Sequence, residues 1–381
     1  MNTIARFLVT GAIVTSVAIA SGFWLARNPA PNGDDVRATI AALQRDAQTD
    51  RFARAIQPRQ FEFPADHGPH DDYQTEWWYY TGQLFDAQGR HFGFQLTFFR
   101  RALLPPDAQV PASSSPFAFR QVYFAHFALT DSSSGEHVAF ERYSRNAAGL
   151  AGAQSAPFAV FVENWSATGV EGDAAHVRLR AAQDGYEIDL TLRNTKPIVL
   201  HGDQGLSQKS HKPGNASYYY SMTRMETQGV VRTPRGQFSV VGSSWLDREW
   251  FTSALEDDVA GWDWLSLQLD NGEEVMFFKL RQKDTGATTF AKGTWIAADG
   301  TTTLLRGDAA QLEPLAHWRS PYSGSVYPIR WRLRIPARAL DVVISARIPN
   351  QEMRLSQRYW EGAITAAGTH HGLGYLEMTG Y

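Results

Sequence analysis

Cysteine is absent from the 381-residue sequence. Its absence excludes disulfides, thiolate metal sites, a cysteine nucleophile and a lipoprotein anchor built on a modified cysteine. An excess of charge of one sign is also lacking, because the formal net charge is -3 and the Lys and Arg residues are scattered. Nucleic-acid binding requires a clustered basic surface, so we expect no nucleic acid as a partner.

Signatures of common catalytic sites are missing as well. The sequence has no G-x-S-x-G elbow, no S-x-x-K motif paired with K-T-G, and no H-E-x-x-H. Its glycine-rich stretches do not join a strand to a helix, so we expect neither a bound nucleotide nor another cofactor. A serine hydrolase of the common types is therefore disfavoured.

Histidines and carboxylates occur together in "DHGPHDDYQTE", which contains His67 and His70. These residue types can bind metal ions, but their spacing here is irregular and matches no known ligand pattern. We therefore predict no metal at this loop. A metal-dependent hydrolase built on it is the weakest of three functional hypotheses.

The N-terminus has the pattern of an export signal, which we assign to residues 1–25. Arg6 precedes the apolar stretch "FLVTGAIVTSVAIASGFWLA", and "AIA" at Ala18 to Ala20 offers a cleavage site. Because the apolar stretch continues beyond it, an uncleaved anchor that tethers the protein to the inner membrane is the alternative. Either form predicts a periplasmic or secreted protein. Residues 26–59 should form a linker and a short helix, with apolar residues at helical spacing (Val36, Ile40 and Leu43).

From about residue 60 the apolar residues alternate, as in strands, and Asp, Asn or Gly separate successive runs. A faint repeat is also present, since "GSSWLD" at 242–247 resembles "GLGYLE" at 372–377, although chance similarity among aromatic strands is the alternative. Four further residues recur at one constant spacing, namely Trp77, Tyr79, Gln83 and Leu84 with Trp262, Trp264, Gln268 and Leu269. We predict a mainly β fold of two tandem antiparallel barrels, in domains 60–252 and 253–381.

The segment "GSSWLDREW" contains the candidate catalytic residues, Asp247 and Glu249. Strand alternation places both carboxylates on one face with Trp245, and Arg248 on the other. An Asp in apolar surroundings resists ionisation and can donate a proton. The alternative is structural, with Asp247 capping a loop or pairing with an arginine and Glu249 at a solvated rim.

Aromatic residues supply the candidate ligand-binding surface. Paired tryptophans can stack on an apolar ligand or stabilise a cation through their π faces, although most buried aromatic residues belong to the core. His126 is a polar residue in an apolar strand, and a buried histidine with a hydrogen-bonding partner is the alternative there. The candidates are Trp77, Trp78, Tyr79, His126, Trp245, Trp250, Trp262 and Trp264.

Four segments together resemble one protein family: "FPADHGPHDDYQTEWWYYTGQL", "WLDREW", "GWDWLSLQLDNGEEVM" and "GYLEMTGY". From about residue 60 to 381 the chain is similar to the AttH-type, two-domain lipocalin-like proteins. These are often labelled predicted secreted hydrolases and are related to carotenoid hydratase (hydroxyneurosporene synthase). The resemblance implies two calycin-like barrels packed together.

The resemblance also implies a chemistry, in which an acid protonates an alkene, aromatic faces stabilise the cation and water adds. Trp245 and Asp247 stand where that mechanism has its aromatic residue and its acid. Arg248 departs from the pattern, because many AttH-type members have His there.

Two main hypotheses of function follow. The first is an exported lipocalin-like protein that binds an apolar or amphiphilic small molecule in an aromatic-lined cavity, and that associates with an export system of the cell envelope. The second is a hydratase- or isomerase-type enzyme with Asp247 as general acid. They differ in whether Asp247 faces a cavity shared with Trp245 and Trp264.

Overall fold

A computed structural model describes residues 49–108, 120–252 and 256–381 of the protein. The predicted signal segment, and the helix predicted around Val36, lie outside these ranges. Among the described residues no helix is long and apolar enough to cross a membrane. The helical elements described are short 3-10 turns: Thr49–Arg51, Ala65–His67, Gly307–Ala309 and Pro336–Arg338.

The first sheet is formed by thirteen described strands, and every pairing in it is antiparallel. Long alternating runs, such as "EWWYYTGQLF" of β1, form its central strands. The strands are β1 (Thr75–Asp86), β2 (His91–Ala102), β3 (Gln121–Asp131), β4 (Glu136–Arg145), β5 (Ala151–Ser155), β6 (Phe158–Val162), β7 (Trp165–Val170), β8 (Asp173–Gln183), β9 (Tyr186–Asn194), β10 (Val199–Leu200), β11 (Leu206–Gln208), β12 (Ala216–Thr233) and β13 (Gly236–Phe251).

The second sheet is formed by ten described strands, again paired antiparallel. They are β14 (Val259–Leu269), β15 (Glu274–Gln282), β16 (Thr288–Ile296), β17 (Thr302–Arg306), β18 (Gln311–Arg319), β19 (Val326–Ile335), β20 (Leu340–Ala346), β21 (Glu352–Arg354), β22 (Arg358–Gly368) and β23 (Gly372–Met378). Both sheets curl, one into a near-barrel and the other into a half-barrel, and the predicted fold class is confirmed. The division into independent domains at residue 252 stays a prediction.

Because side chains alternate along a strand, one face of each sheet packs into that sheet's own core and the opposite face packs against the other sheet. On β1, Trp78 and Tyr80 pack into the interior of the first sheet, whereas Tyr79 points the other way. Tyr79 joins an aromatic cluster with residues of the second sheet, among them Trp264 and Tyr375. This inter-sheet cluster is therefore built from the second face of both sheets.

The sequence repeat coincides with the contact between the sheets. β1 pairs with β13 in the first sheet, and β14 pairs with β23 in the second. Gln83 on β1 donates a hydrogen bond to the Gly374 carbonyl on β23, and Gln268 on β14 donates to the Ser244 carbonyl on β13 at 3.0 Å. The repeated glutamines thus make reciprocal bonds across the interface. The close approach of β2 to β22 requires glycine at position 93, because a Cβ there would lie 2.7 Å from the Cβ of Ala363.

Candidate active site

Asp247 lies on the face of β13 that meets the second sheet, and it is only 4% exposed. The Tyr219 hydroxyl donates to its Oδ2 at 2.5 Å, and the Trp245 Nε1–H donates to its Oδ1 at 2.6 Å. Ser221 also donates to Oδ1. Among the residues that the structure describes, no Lys or Arg forms an ion pair with it, so the predicted structural alternative, an arginine partner, is not observed there.

The surroundings of Asp247 favour its protonated form. Burial raises the pKa of this carboxyl to about 7, although the three donors oppose the rise and the charge of Glu249 adds to it. A carboxylic acid with a pKa near neutrality holds a proton and can also release it. Asp247 therefore combines the two properties that a general acid needs.

Burial of Asp247 predicts a pH dependence of stability. Because its folded-state pKa lies above the unfolded value, the native protein binds this proton more strongly. Stability should then fall, by about 1.4 kcal/mol per pH unit, as the pH rises between the two pKa values. Asn does not titrate, so Asp247→Asn does not show this fall. The stability of the variant relative to the wild type should therefore increase as the pH rises to about 7. Urea unfolding at several pH values measures the difference, and a constant difference would contradict the expectation.

Glu249, the second predicted catalytic residue, is placed beside Asp247 but differs in its contacts. Lys209 Nζ lies 2.6 Å from its Oε1, and Ser217 donates a hydrogen bond to the same oxygen. Glu249 thus has the cationic partner that Asp247 lacks among the described residues. A catalytic role for Glu249 stays a prediction, and its contacts suit a fixed negative charge.

Hydrogen bonds extend from Asp247 into both sheets. Tyr219, which donates to Asp247, accepts a hydrogen bond from Trp264 Nε1 at 3.1 Å. Ser221 lies 2.6 Å from His201 Nε2, and His201 Nδ1 lies 2.8 Å from the Thr294 hydroxyl. Since Trp264 and Thr294 belong to the second sheet, the position of Asp247 depends on both sheets.

Two further carboxyl groups reach this region from the second sheet. Glu361 and Glu377 lie directly opposite each other on β22 and β23. Burial, together with the charge of Glu377, raises the pKa of Glu361 well above its usual range. Burial also raises the pKa of Glu377 to about 8, with the charge of Asp247 adding to the rise and a hydrogen bond from Trp262 at 3.0 Å opposing it.

The two glutamates were not predicted from the sequence, but a signal for one was present. The repeat that relates "GSSWLD" to "GLGYLE" aligns Asp247 with Glu377. The structure shows the same relation, because Tyr79 lies opposite Asp247 and Trp264 lies opposite Glu377 in their ladders. Glu361, Tyr219 and Ser221 had no comparable signal, since only strand pairing brings them to the site.

Five of the predicted aromatic residues meet at the inter-sheet cluster: Trp77, Tyr79, Trp245, Trp262 and Trp264. Trp77 and Trp262 are partly exposed, whereas Trp245 and Trp264 are buried. Glu377, which accepts a hydrogen bond from Trp262, is partly buried as well.

An aromatic row leads outward from Trp77 across the first sheet. Its members stand opposite one another on β1 to β4, and successive ring centres lie 6.3, 4.4 and 5.4 Å apart. Exposure of the row reaches 49% at Tyr143. The row consists of Trp77, Phe99, Phe124 and Tyr143.

Trp78 and Trp250 point away from Asp247. Trp78 packs in the interior of the first sheet, where the Arg248 guanidinium lies 3.9 Å from its ring centre. Trp250 belongs to a separate cluster and stacks on His70 at 3.8 Å. Arg248 therefore belongs to this interior as well. Ligand binding by the two tryptophans stays a prediction, and their contacts are those of structural residues.

His126 lies at the border of the inter-sheet cluster. Its Nδ1 is 2.8 Å from the hydroxyl of Tyr359, and burial lowers its pKa to about 3. It is therefore neutral, with one ring nitrogen bonded as expected of a core histidine. Its other nitrogen, Nε2, is buried without a partner.

The His67–His70 loop forms an ion cluster inside the first sheet. The ring nitrogens of His70 lie 3.0 Å from Asp66 and 3.2 Å from Glu76, and His67 Nδ1 lies 2.6 Å from the Tyr220 hydroxyl. Within the described ranges no group of three or more His, Asp or Glu side chains is arranged to hold a metal ion.

Comparisons with known proteins agree with this architecture. The model of the AttH-like family matches residues 54–381. A crystal structure described as an AttH from Nitrosomonas europaea is 32% identical, covers 87% of this chain and 100% of its own, and superposes with a TM-score of 0.76. No curated protein matches the sequence.

Two more distant structures share the fold. Kievitone hydratase from Nectria haematococca is 15% identical, with a TM-score of 0.65 over 86% of this chain and 96% of its own. A protein named CghA is 14% identical, with a TM-score of 0.51 over the same shares. At these identities the similarity establishes the fold alone.

Proposed function

The chain belongs to the AttH-like family, and on that premise we propose that it is an enzyme in which Asp247 protonates a carbon–carbon double bond of an apolar substrate. One observation carries the proposal. Asp247 is buried among aromatic rings, and its hydrogen-bond partners are uncharged hydroxyl and indole groups. A structural aspartate is normally paired with a cation or exposed to water, because an unpaired buried charge is costly.

The aromatic groups of the site suit the intermediate of this reaction. When the Asp247 proton forms a C–H bond with the π electrons of the alkene, the neighbouring carbon becomes a cation. The faces of Trp and Tyr rings stabilise cations through their quadrupoles. Trp245, Trp264, Tyr79 and Tyr219 all lie within the cluster that surrounds the acid.

Two outcomes are open to the cation. Water can add to it, which forms a C–O bond and releases one proton, so that the product is an alcohol. Alternatively, a neighbouring carbon can lose a proton, which moves the double bond. The partial exposure of Trp262 and Glu377 supports addition of water, because this edge of the cluster is its least buried part.

Incubation in water labelled with heavy oxygen tests the proposal. The substrates are alkenes whose protonation gives a tertiary cation, together with kievitone, because a hydratase of this fold carries that name. We expect at least one product that gains one labelled water, and formation of this product should depend on Asp247. If every compound is recovered unchanged, or if Asp247→Asn forms the product equally well, the proposed function is wrong.

A binding protein is the second candidate, and the exposed aromatic row favours it. The rings from Trp77 to Tyr143, edge-on between Trp77 and Phe99 and stacked beyond, offer a surface to an elongated apolar molecule, without need of an acid. In that case, Asp247→Asn should leave both the affinity and the chemical identity of the bound molecule unchanged. Mass spectrometry of the molecule recovered from the protein separates the two candidates, because only an enzyme returns it altered.

We propose further, from the sequence alone, that the protein is exported, acts in the periplasm or outside the cell, and associates with an envelope export system. Arg6 and the apolar stretch after it support export. Cell fractionation checks the location, and N-terminal sequencing of the mature protein decides between cleavage and an anchor.

A further inference from the structure

Beside Asp247 the structure contains a group of buried polar atoms without hydrogen-bond partners. The atoms that lack a partner are both carboxyl oxygens of Glu361, the Tyr79 hydroxyl oxygen and His126 Nε2. Glu361 and His126 are each 1% exposed and Tyr79 is 6% exposed. Buried polar groups are nearly always paired, so several unpaired ones in one place indicate a site whose partner comes from outside the chain.

These groups are neighbours, and they adjoin the acid. Tyr79 stands opposite Asp247 in the β1–β13 ladder. The carboxyl of Glu361 lies near the hydroxyls of Tyr79 and Tyr359, without forming a hydrogen bond of good geometry to either. Tyr359 is in turn bonded to His126. Tyr79 thus stands between the two carboxyl groups, Asp247 from the first sheet and Glu361 from the second.

The hydrogens that this group can offer determine what it binds. A tyrosine hydroxyl donates one hydrogen bond, and a carboxyl group kept neutral by its surroundings donates another. Burial, with Glu377 directly opposite, keeps Glu361 in the neutral form. Two neighbouring donors, Tyr79 and Glu361, suit an acceptor oxygen. An anionic oxygen would need a cation, and no Lys or Arg is among the groups that act on the Glu361 carboxyl, so an uncharged oxygen fits best.

We propose that Tyr79 and Glu361 form a subsite that binds a carbonyl oxygen of the substrate, next to the double bond that Asp247 protonates. The binding of a carbonyl oxygen does not depend on the proposed function. Only the position of that carbonyl beside a double bond protonated by Asp247 rests on it. This assignment defines the substrate class as apolar alkenes that also carry a ketone or similar carbonyl. Tyr79 and Glu361 are then binding and specificity residues, and the proton is supplied by Asp247.

Binding of acetonaphthone, an aromatic ketone without a reactive alkene, tests the subsite without any turnover. The full-length protein is titrated while tryptophan fluorescence is recorded, and the carbonyl stretch of the bound ketone is measured by infrared spectroscopy. We expect binding, with the stretch lowered by hydrogen bonding. Tyr79→Phe and Glu361→Leu should each weaken binding roughly tenfold or more and return the stretch towards its value in an apolar solvent.

Stability provides the matched control. The Tyr79 hydroxyl makes no hydrogen bond of good geometry within the chain, so Tyr79→Phe should leave the melting temperature nearly unchanged. The Tyr327 hydroxyl is buried and donates to Glu352 at 3.0 Å, so Tyr327→Phe should lower the melting temperature without affecting ketone binding. If the two variants bind acetonaphthone as the wild type does, or if its carbonyl is not hydrogen bonded, the groups serve ordered water only and the subsite is wrong.

The subsite and the proposed function can fail separately. Ketone binding that depends on Tyr79, in a protein that alters no alkene, would support the subsite and reject the enzyme. If Tyr79→Phe turned over carbonyl-bearing alkenes as well as the wild type does, the enzyme would stand and the subsite would be rejected.

Discussion

Asp247→Asn is expected to lower turnover by roughly two to four orders of magnitude, which is the usual contribution of general acid catalysis. The amide has the shape of the carboxyl, and its oxygen can still accept hydrogen bonds from Ser221 and Trp245, while its NH2 group can donate to the Tyr219 hydroxyl. It has no acidic proton. Substrate affinity should therefore change little while kcat falls. Steady-state kinetics on the product identified with labelled water measures both.

The matched control for this variant is Asp341→Asn. Asp341 is an exposed carboxylate that pairs with Arg332 on the second sheet, at 2.6 Å. The same chemical change there should leave turnover as it is in the wild type, because exposed ion pairs contribute little. If Asp247→Asn retains wild-type kcat, another group supplies the proton.

Glu76→Gln is expected to produce the largest loss of stability, about 3–5 kcal/mol in the free energy of unfolding. Glu76 is fully buried and forms ion pairs with Arg100 and Arg248, which are also fully buried. Removal of its charge leaves two guanidinium groups in the interior of the first sheet without their shared counterion. Chemical denaturation, followed by tryptophan fluorescence, gives the value.

An exposed pair provides the control for Glu76. Glu226 and Arg193 lie 2.6 Å apart with side chains about two-thirds exposed, at 64% and 65%. Glu226→Gln should therefore change stability by no more than about 1 kcal/mol. An equal effect of the two substitutions would show that the buried cluster makes no special contribution.

The ion cluster also predicts behaviour in acid. Burial opposes ionisation of Glu76, but Arg100, Arg248 and His70 outweigh it and hold its pKa well below the usual range. Its stabilisation is thus fully present above the unfolded-state pKa and is lost as the pH falls towards the folded-state pKa. Glu76→Gln should accordingly lose part of this acid sensitivity.

The fold could be predicted from local information because strand alternation is a local property. Residues such as Trp78 and Tyr80 repeat with period two, and Asp or Gly separates the runs, so hairpins follow directly. Local sequence does not determine which core each face of a strand packs against. Trp78 and Trp250 were grouped with Trp77 as ligand-binding candidates, although they lie in the interior or in a separate cluster.

Of the residues in the candidate site, the sequence predicted those that lie close together within one strand. Trp245 and Asp247 share a face because they are two residues apart, and the structure places them in hydrogen-bonding contact. Tyr219 and Ser221 reach Asp247 through pairing of β12 with β13, whereas Glu361 reaches Tyr79 through packing of one sheet on the other. Such contacts depend on register and tertiary packing, which alternation does not determine.

The protonation state of Asp247 is the central claim, and infrared difference spectroscopy tests it most directly. The spectrum of the wild type minus that of Asp247→Asn isolates the carboxyl band of this residue from those of Glu361 and Glu377. We predict a band of a protonated carboxyl below neutral pH that converts to a carboxylate band at about pH 7. A carboxylate band alone, already present well below that pH, would show that Asp247 is an ordinary ionised aspartate and would contradict its role as the acid.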